Sequence, residues 1–462
     1  MCYLVSWNNR DIIFSSLSFG ESKCYIPWLL RKGCMRKGPE MRLFGTVAIA
    51  VVALWFFSPH SVYAAVERLT YEKYMSLPVN DKEKIVAGYV KKVGNYHEVA
   101  IDSYLVRSDI SPEDALSYAV KMDEFYRRFT SIFIGPFHIN VRPELYILKS
   151  KSSYAGAVAQ FTGQSPPSWS AGLFAQFGNK YALFGCAEWG EDQVNSTLRH
   201  EGTHQLMCFY MGCEFPRWFD EGIATNLEEW DIGLSAERNI YEEMYKSQFP
   251  QYIYEMMNEK VKGVGKPDLA KLIASTDDDW LHSADPRPLY AQAWCFVNFI
   301  FAYGKVGETY FNKLINGFRA GQPMAKVLPM QERAALASQW NGYLKTVIAP
   351  HCEYCVPYQE LMKAGEKEDA KKLLAEGLAK YPENTSLLFY KAVNMAAGGD
   401  AKGALEIAKN LDKQFPRHPQ LSRLLGKLAT DTGDKMNAQK WLKKALTENY
   451  RDEDVKKLLE TK

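Results

Sequence analysis

The residues best suited to chemistry lie in one heptapeptide, Arg199-His200-Glu201-Gly202-Thr203-His204-Gln205. Residues four apart on a helix lie on one face, so His200 and His204 can point their imidazoles at one ion. Glu201, next to the first of them, can reach a water held by that ion and take its proton. Two histidines leave a catalytic zinc one ligand short, because such sites usually have three protein ligands and an open position. The third candidate is Glu221, seventeen residues after His204, inside Pro216-Arg217-Trp218-Phe219-Asp220-Glu221-Gly222-Ile223-Ala224. The plain alternative is a polar helix with two hydrogen-bonded histidines. Histidine is scarce here, 8 in 462 residues, so the spacing favours a metal.

Two helices must hold these groups. Val194, Leu198, Met207, Phe209 and Tyr210 line the first with apolar side chains, and Gly212 is placed to end it. Pro216 can open the second, which puts Glu221 in its first turns across a short connection; Gly222 and Ala224 are small enough for the helices to approach closely. Upstream, Ser111-Pro112-Glu113 reads as a helix start, followed by apolar positions at Leu116, Ala119, Met122, Phe125, Tyr126 and Phe129. Four β-rich segments follow: Phe137 to Val141, Leu145 to Leu148, Ala171 to Phe177 and Lys180 to Phe184. The last two flank Gly178-Asn179, a hairpin signal. Either can be an edge that pairs with an extended peptide. Helices dominate again from Glu191 to about Thr346.

The pair His-Glu-x-x-His and Trp218-x-x-Glu221-Gly222-x-Ala224 resembles the gluzincins, zinc peptidases with two histidines and one glutamate as ligands. The second motif is similar to the Trp-Leu-Asn-Glu-Gly-Phe-Ala segment of the aminopeptidase N family. The nearer match is an uncharacterised bacterial branch of peptidase-MA-like domains. Tyr104 to Asp109, Ser170 to Phe174 and Tyr290 to Trp294 also carry that likeness, which spans roughly residues 95–345. It implies an α+β, zincin-like domain of a small sheet plus helices, one Zn2+ per chain on His200, His204 and Glu221, and Glu201 as the base. It also implies that Tyr290, the start of an apolar helix, donates to the oxyanion; a core tyrosine is the alternative. No Gly-x-Met-Glu-Asn element is present, so the amine-binding device of the aminopeptidases is missing and an endopeptidase is expected.

The last hundred residues repeat. Gly365, Gly399 and Gly433 are 34 residues apart, as are Ala370, Ala404 and Ala438, and Leu373, Ile407 and Trp441. That period resembles tetratricopeptide repeats, helix pairs that bury their faces by stacking, with Asp452 to Leu459 placed as a cap. The expected order is an upstream extension at 1–40, a secretory signal peptide at 41–64, a peptidase domain at 65–350 and all-α repeats at 356–462. The signal reading rests on Met41-Arg42, the apolar run Leu43 to Phe57 and the small-residue site Val62-Tyr63-Ala64. It implies a periplasmic or secreted protein, tied to a membrane only if that segment stays uncleaved.

A net charge of +2 gives no reason to expect nucleic acid. Past residue 40 six cysteines remain, Cys186, Cys208, Cys213, Cys295, Cys352 and Cys355, an even number that permits disulfides in an exported protein. Cys208 continues the histidine face by one turn, as a weaker metal candidate than a disulfide or buried thiol. Thr225 lies one turn past Glu221 and can orient a ligand histidine or bond its own helix. His97, His138, His282 and His351 lack ligand spacing. The function expected is zinc-dependent hydrolysis of polypeptides in the cell envelope, with Glu201 activating a zinc-bound water. The alternative is a non-catalytic module that binds an envelope protein through the repeats, with a structural or vestigial metal site. A redox role for Cys352-x-x-Cys355 is a third reading.

Overall fold

The computed structural model describes residues 78–460, apart from 102, 134–141, 169, 178–179, 212–214, 232–243, 245, 303, 415–419 and 450–451. The expected extension, signal segment, strand from Phe137 to Val141, Gly178-Asn179 turn, Gly212 and Cys213 lie outside the described residues. What is described is a mixed fold with one six-stranded sheet and a majority of helix.

The chain enters through helix α1 (Val79–Tyr89) and the antiparallel strands β1 (Val90–Val93), β2 (Tyr96–Ala100) and β3 (Leu105–Ser108). Helix α2 (Pro112–Ile132) then crosses to β4 (Glu144–Leu148), parallel to β3. Ser111 caps α2 by accepting from the Asp114 N–H at 3.0 Å, worth about 1 kcal/mol. Helix α3 (Lys151–Thr162) leads to β5 (Gly172–Phe177) and β6 (Lys180–Cys186). Strand order is β1-β2-β3-β4-β6-β5. The run from Ala182 to Cys186 is buried throughout, as expected of a strand inside the sheet with both faces covered. Strand β5 pairs antiparallel with β6 alone, so it forms the edge.

Helix α4 (Glu191–Met211) packs across the face of β5 and β6. Every residue from His200 to Cys208 is buried. Three glycines permit the approach: a Cβ on Gly172 would overlap the Thr197 side chain, one on Gly185 would meet Leu198 at 3.0 Å, and one on Gly202 would meet Met122 of α2 at 3.0 Å. Helix α5 (Arg217–Leu227) follows, opened by Pro216. Next come α6 (Phe249–Met257), α7 (Leu269–Ala274), α8 (Asp277–Leu281), α9 (Arg287–Ala302) and α10 (Gly304–Arg319). Gly222 serves a neighbour other than the one expected: its missing side chain makes room for α9, where the Ala293 carbonyl would sit 2.7 Å from a Cβ. A buried polar bridge pins the same joint. Asn226 Nδ2 donates to the carbonyls of Gly222 (2.7 Å) and Trp294 (3.0 Å), Asn298 Nδ2 donates to Asn226 Oδ1 (3.0 Å), and Tyr343 Oη donates to Asn298 Oδ1 (2.6 Å).

After α11 (Met324–Val327), the chain is helical without a break from Met330 to Ala364, as α12 (Met330–Tyr343), two π-helical turns (Leu344–Ile348 and His351–Cys355) and α13 (Val356–Ala364). The boundary expected at 350–356 lies inside this helical run, and the described residues belong to one compact unit. The repeats follow as α14 (Lys367–Lys380), α15 (Thr385–Ala397), α16 (Ala401–Gln414), α17 (Leu421–Asp431), α18 (Lys435–Glu448) and α19 (Glu453–Glu460). Gly365, Gly399 and Gly433 hold positive φ of 84°, 93° and 79° at the turns between paired helices, the backbone that favours glycine. Glu353 joins the regions: it accepts from Tyr254 Oη on α6 (2.9 Å), Lys380 Nζ (2.6 Å) and Tyr381 Oη (3.2 Å).

Candidate metal centre

The two helices present their polar faces to each other. His200 Nε2 and His204 Nε2 lie 3.2 Å apart, and Glu221 Oε2 lies 3.7 and 3.6 Å from them. All three residues are buried, at 2%, 7% and 1% exposure. Their ligand atoms fall within 4.8 Å of one another, the spacing of a group that can hold a metal ion.

The surroundings suit a cation. His200 Nδ1 is 2.8 Å from Glu228 Oε2, and His204 Nδ1 is 2.8 Å from Asp220 Oδ2, the latter not in line for a hydrogen bond. At His200 the bonded carboxylate favours the tautomer that leaves Nε2 with its lone pair inward, and Asp220 stands beside the corresponding nitrogen of His204. The two Nε2 atoms and Glu221 Oε2, a buried oxygen with no hydrogen-bond partner among the described residues, then face one small space. Arg217 Nε sits 3.3 Å from the other carboxylate oxygen, Oε1, which keeps Oε2 for the interior. This donor set of two imidazoles and one carboxylate fits zinc.

The protonation equilibria follow the same geometry. Burial opposes charge on His200, but Glu221 and Glu228 outweigh it and hold its pKa well above the imidazole range. Burial likewise opposes charge on His204, and Asp220 and Glu221 raise its pKa. Burial acts to raise the pKa of Glu221, while His204, His200 and Arg217 bring it down overall. A metal here would displace protons from the imidazoles.

Glu201 is buried beside His200, and its Oε2 accepts the Phe174 N–H of edge strand β5 at 3.0 Å. Tyr290, near the start of α9, lines a cavity of about 370 Å³ together with His200, Thr225 and Glu228. Burial first, then the Glu221 carboxylate, pushes its pKa well above 10, so its hydroxyl keeps its proton at neutral pH.

Of the weaker candidates, Thr225 Oγ1 donates to the Glu221 carbonyl of its own helix at 2.7 Å. Cys208 is disulfide-bonded, and Cys186, Cys295, Cys352 and Cys355 are free. Cys352 and Cys355 have pKa values pushed up to about 12 by burial, far from a reactive thiolate. Sequence reasoning missed Asp220, Glu228 and Arg217 as supports. The helical spacing is visible in the sequence, Glu228 two turns past Glu221 and Arg217 one turn before it, but not which histidine a carboxylate there would meet.

A family model described as a protein of unknown function (DUF1570) matches residues 194–316. The matched stretch holds His200, Glu201, His204, Glu221, Glu228 and Tyr290. No curated protein matches the chain.

Proposed function

We propose that the protein is a zinc metallopeptidase, an endopeptidase of gluzincin type that acts on polypeptides in the cell envelope. The observation that carries the reading is the convergence of His200 Nε2, His204 Nε2 and Glu221 Oε2 in a buried space, with Glu201 on the same helix.

His200, His204 and Glu221 would hold the ion. When bound, it supplies Lewis acidity, which lowers the pKa of water and polarises a carbonyl. Glu201 removes the proton from the attacking water and returns it to the leaving amine. Tyr290, a phenol at neutral pH, donates toward the developing oxyanion. Strand β5 offers the substrate an open edge with which an extended chain can pair. The likeness to gluzincins and the lack of a Gly-x-Met-Glu-Asn element favour an internal cleavage site.

The test is metal content and hydrolysis measured together. The wild type is expected to hold about one zinc per chain and His204→Ala to lose it, with peptide hydrolysis lost in parallel. No zinc in either protein after zinc is supplied would end the reading.

A further inference from the structure

The cavity beside His200 has a chemical bias that the proposed hydrolysis does not use. Its wall carries three carboxylates, Glu228, Glu229 and Glu255, and one cation, Arg287. Arg287 is already matched: its Nε and Nη2 each donate to Asp285 at 2.7 Å. The carboxylates meet neutral donors or the ligand imidazole. Glu229 accepts from Ser196 Oγ at 3.2 Å, Glu255 from Gln251 Nε2 at 2.9 Å, and Glu228 faces His200. The metal group adds no compensating excess, because a divalent ion with Arg217 balances Glu201, Asp220 and Glu221.

Two wall groups point to an occupant. Tyr252 and Tyr290 line the same space; Tyr252 Oη has no hydrogen-bond partner among the described residues, and the Arg287 guanidinium lies 5.9 Å from the Tyr252 ring centroid, so this wall already meets one organic cation. Carboxylates with aromatic faces between them are the surroundings that hold an organic cation.

We propose that this cavity binds a positively charged nitrogen of the substrate, the side chain of Lys or Arg, through Glu229 and Glu255 between Tyr252 and Tyr290. Its position beside the bond to be cut rests on the peptidase reading; recognition of the cation does not. The same chemistry could be supplied by a free peptide N-terminus, so the test separates the two.

The experiment uses the full chain carrying Glu201→Gln, loaded with zinc, so that peptides stay whole. Calorimetry compares acetyl-Gly-Lys-Gly-amide, its Arg counterpart and its norleucine counterpart, plus the norleucine peptide with an uncapped N-terminus. The Lys and Arg peptides are expected to bind about tenfold more tightly than capped norleucine, as two partly exposed ion pairs would give. Adding Glu229→Gln and Glu255→Gln should erase the difference. Both residues are half-buried, and melting curves check that the fold persists. Equal affinity for Lys and norleucine overturns the proposal, and so does an uncapped norleucine peptide that matches capped Lys. Hydrolysis by the wild type is followed in parallel. Lys discrimination without cleavage of any peptide supports the cavity and sinks the peptidase reading; cleavage with no basic preference does the reverse.

Discussion

The N–H of Phe174 and the carboxylate of Glu201 are bonded at 3.0 Å, so the edge strand and the proposed base aim each other. Ala171 O accepts from Cys186 N in the register Gly172↔Gly185. That register turns the N–H and C=O of Phe174 away from β6, toward the open side. A glutamine at 201 can accept the same bond. Glu201→Gln is therefore expected to keep fold and zinc while kcat/KM for peptides falls by about 10²–10⁴. Undiminished hydrolysis would remove Glu201 from the mechanism.

In the proposed centre Glu228 and Asp220 would act through His200 and His204, whose Nδ1 atoms they face at 2.8 Å. Glu228→Gln and Asp220→Asn are each expected to weaken zinc binding by roughly 10–100-fold. Titration against a chelator of known affinity measures this. Unchanged affinity would make both ordinary partly exposed charges.

Asn298 holds three elements together, since it donates to Asn226 of α5 and accepts from Tyr343 of α12. Asn298→Ala is expected to cost roughly 1–3 kcal/mol for each buried group left without its partner. Denaturant unfolding reads the loss; a midpoint within error of wild type would mean that the bridge is not what fixes α5.

His351 sets a separate dependence on acid. Burial holds its pKa down at about 4, against about 6.5 for the unfolded side chain. Between those values the unfolded chain takes up a proton that the fold refuses. The fold bears no cost from this group above about pH 6.5 and loses stability as pH falls toward 4. Between pH 7 and pH 5 the loss is about 2 kcal/mol. His351→Gln is expected to lose that much less than wild type over the same interval. Equal losses in the two proteins would exclude the assignment.

The legible part of the site was the part written at helical spacing. His200, His204 and Glu201 occupy one helix, and Pro216 marks where the next begins, so those positions could be placed from the chain alone. The carboxylates behind the histidines could not, because Asp220 and Glu228 matter only through the angle at which α5 crosses α4. That angle is set by contacts far apart in sequence, Gly222 on Ala293 and Asn226 on Trp294. In the sheet, the segments from Ala171 and Lys180 were read as paired strands. Which of them forms the edge depended on β4, which pairs with β6; strand periodicity carries no such information. The 34-residue period marked the repeats, but the unbroken helix leading into them has no sequence sign, because Pro350 usually reads as a stop.

That continuous helix, with Glu353 bound at once to Tyr254 of α6 and to Lys380 and Tyr381, bears on cooperativity. A stack of repeats ordinarily melts as a semi-independent array. Here its first turns share a hydrogen-bonded carboxylate with the helix that walls the cavity, so the array cannot loosen without releasing that wall. Calorimetry should show a single heat-absorption peak, and a chain cut at residue 350 should lose the cavity as well as the repeats.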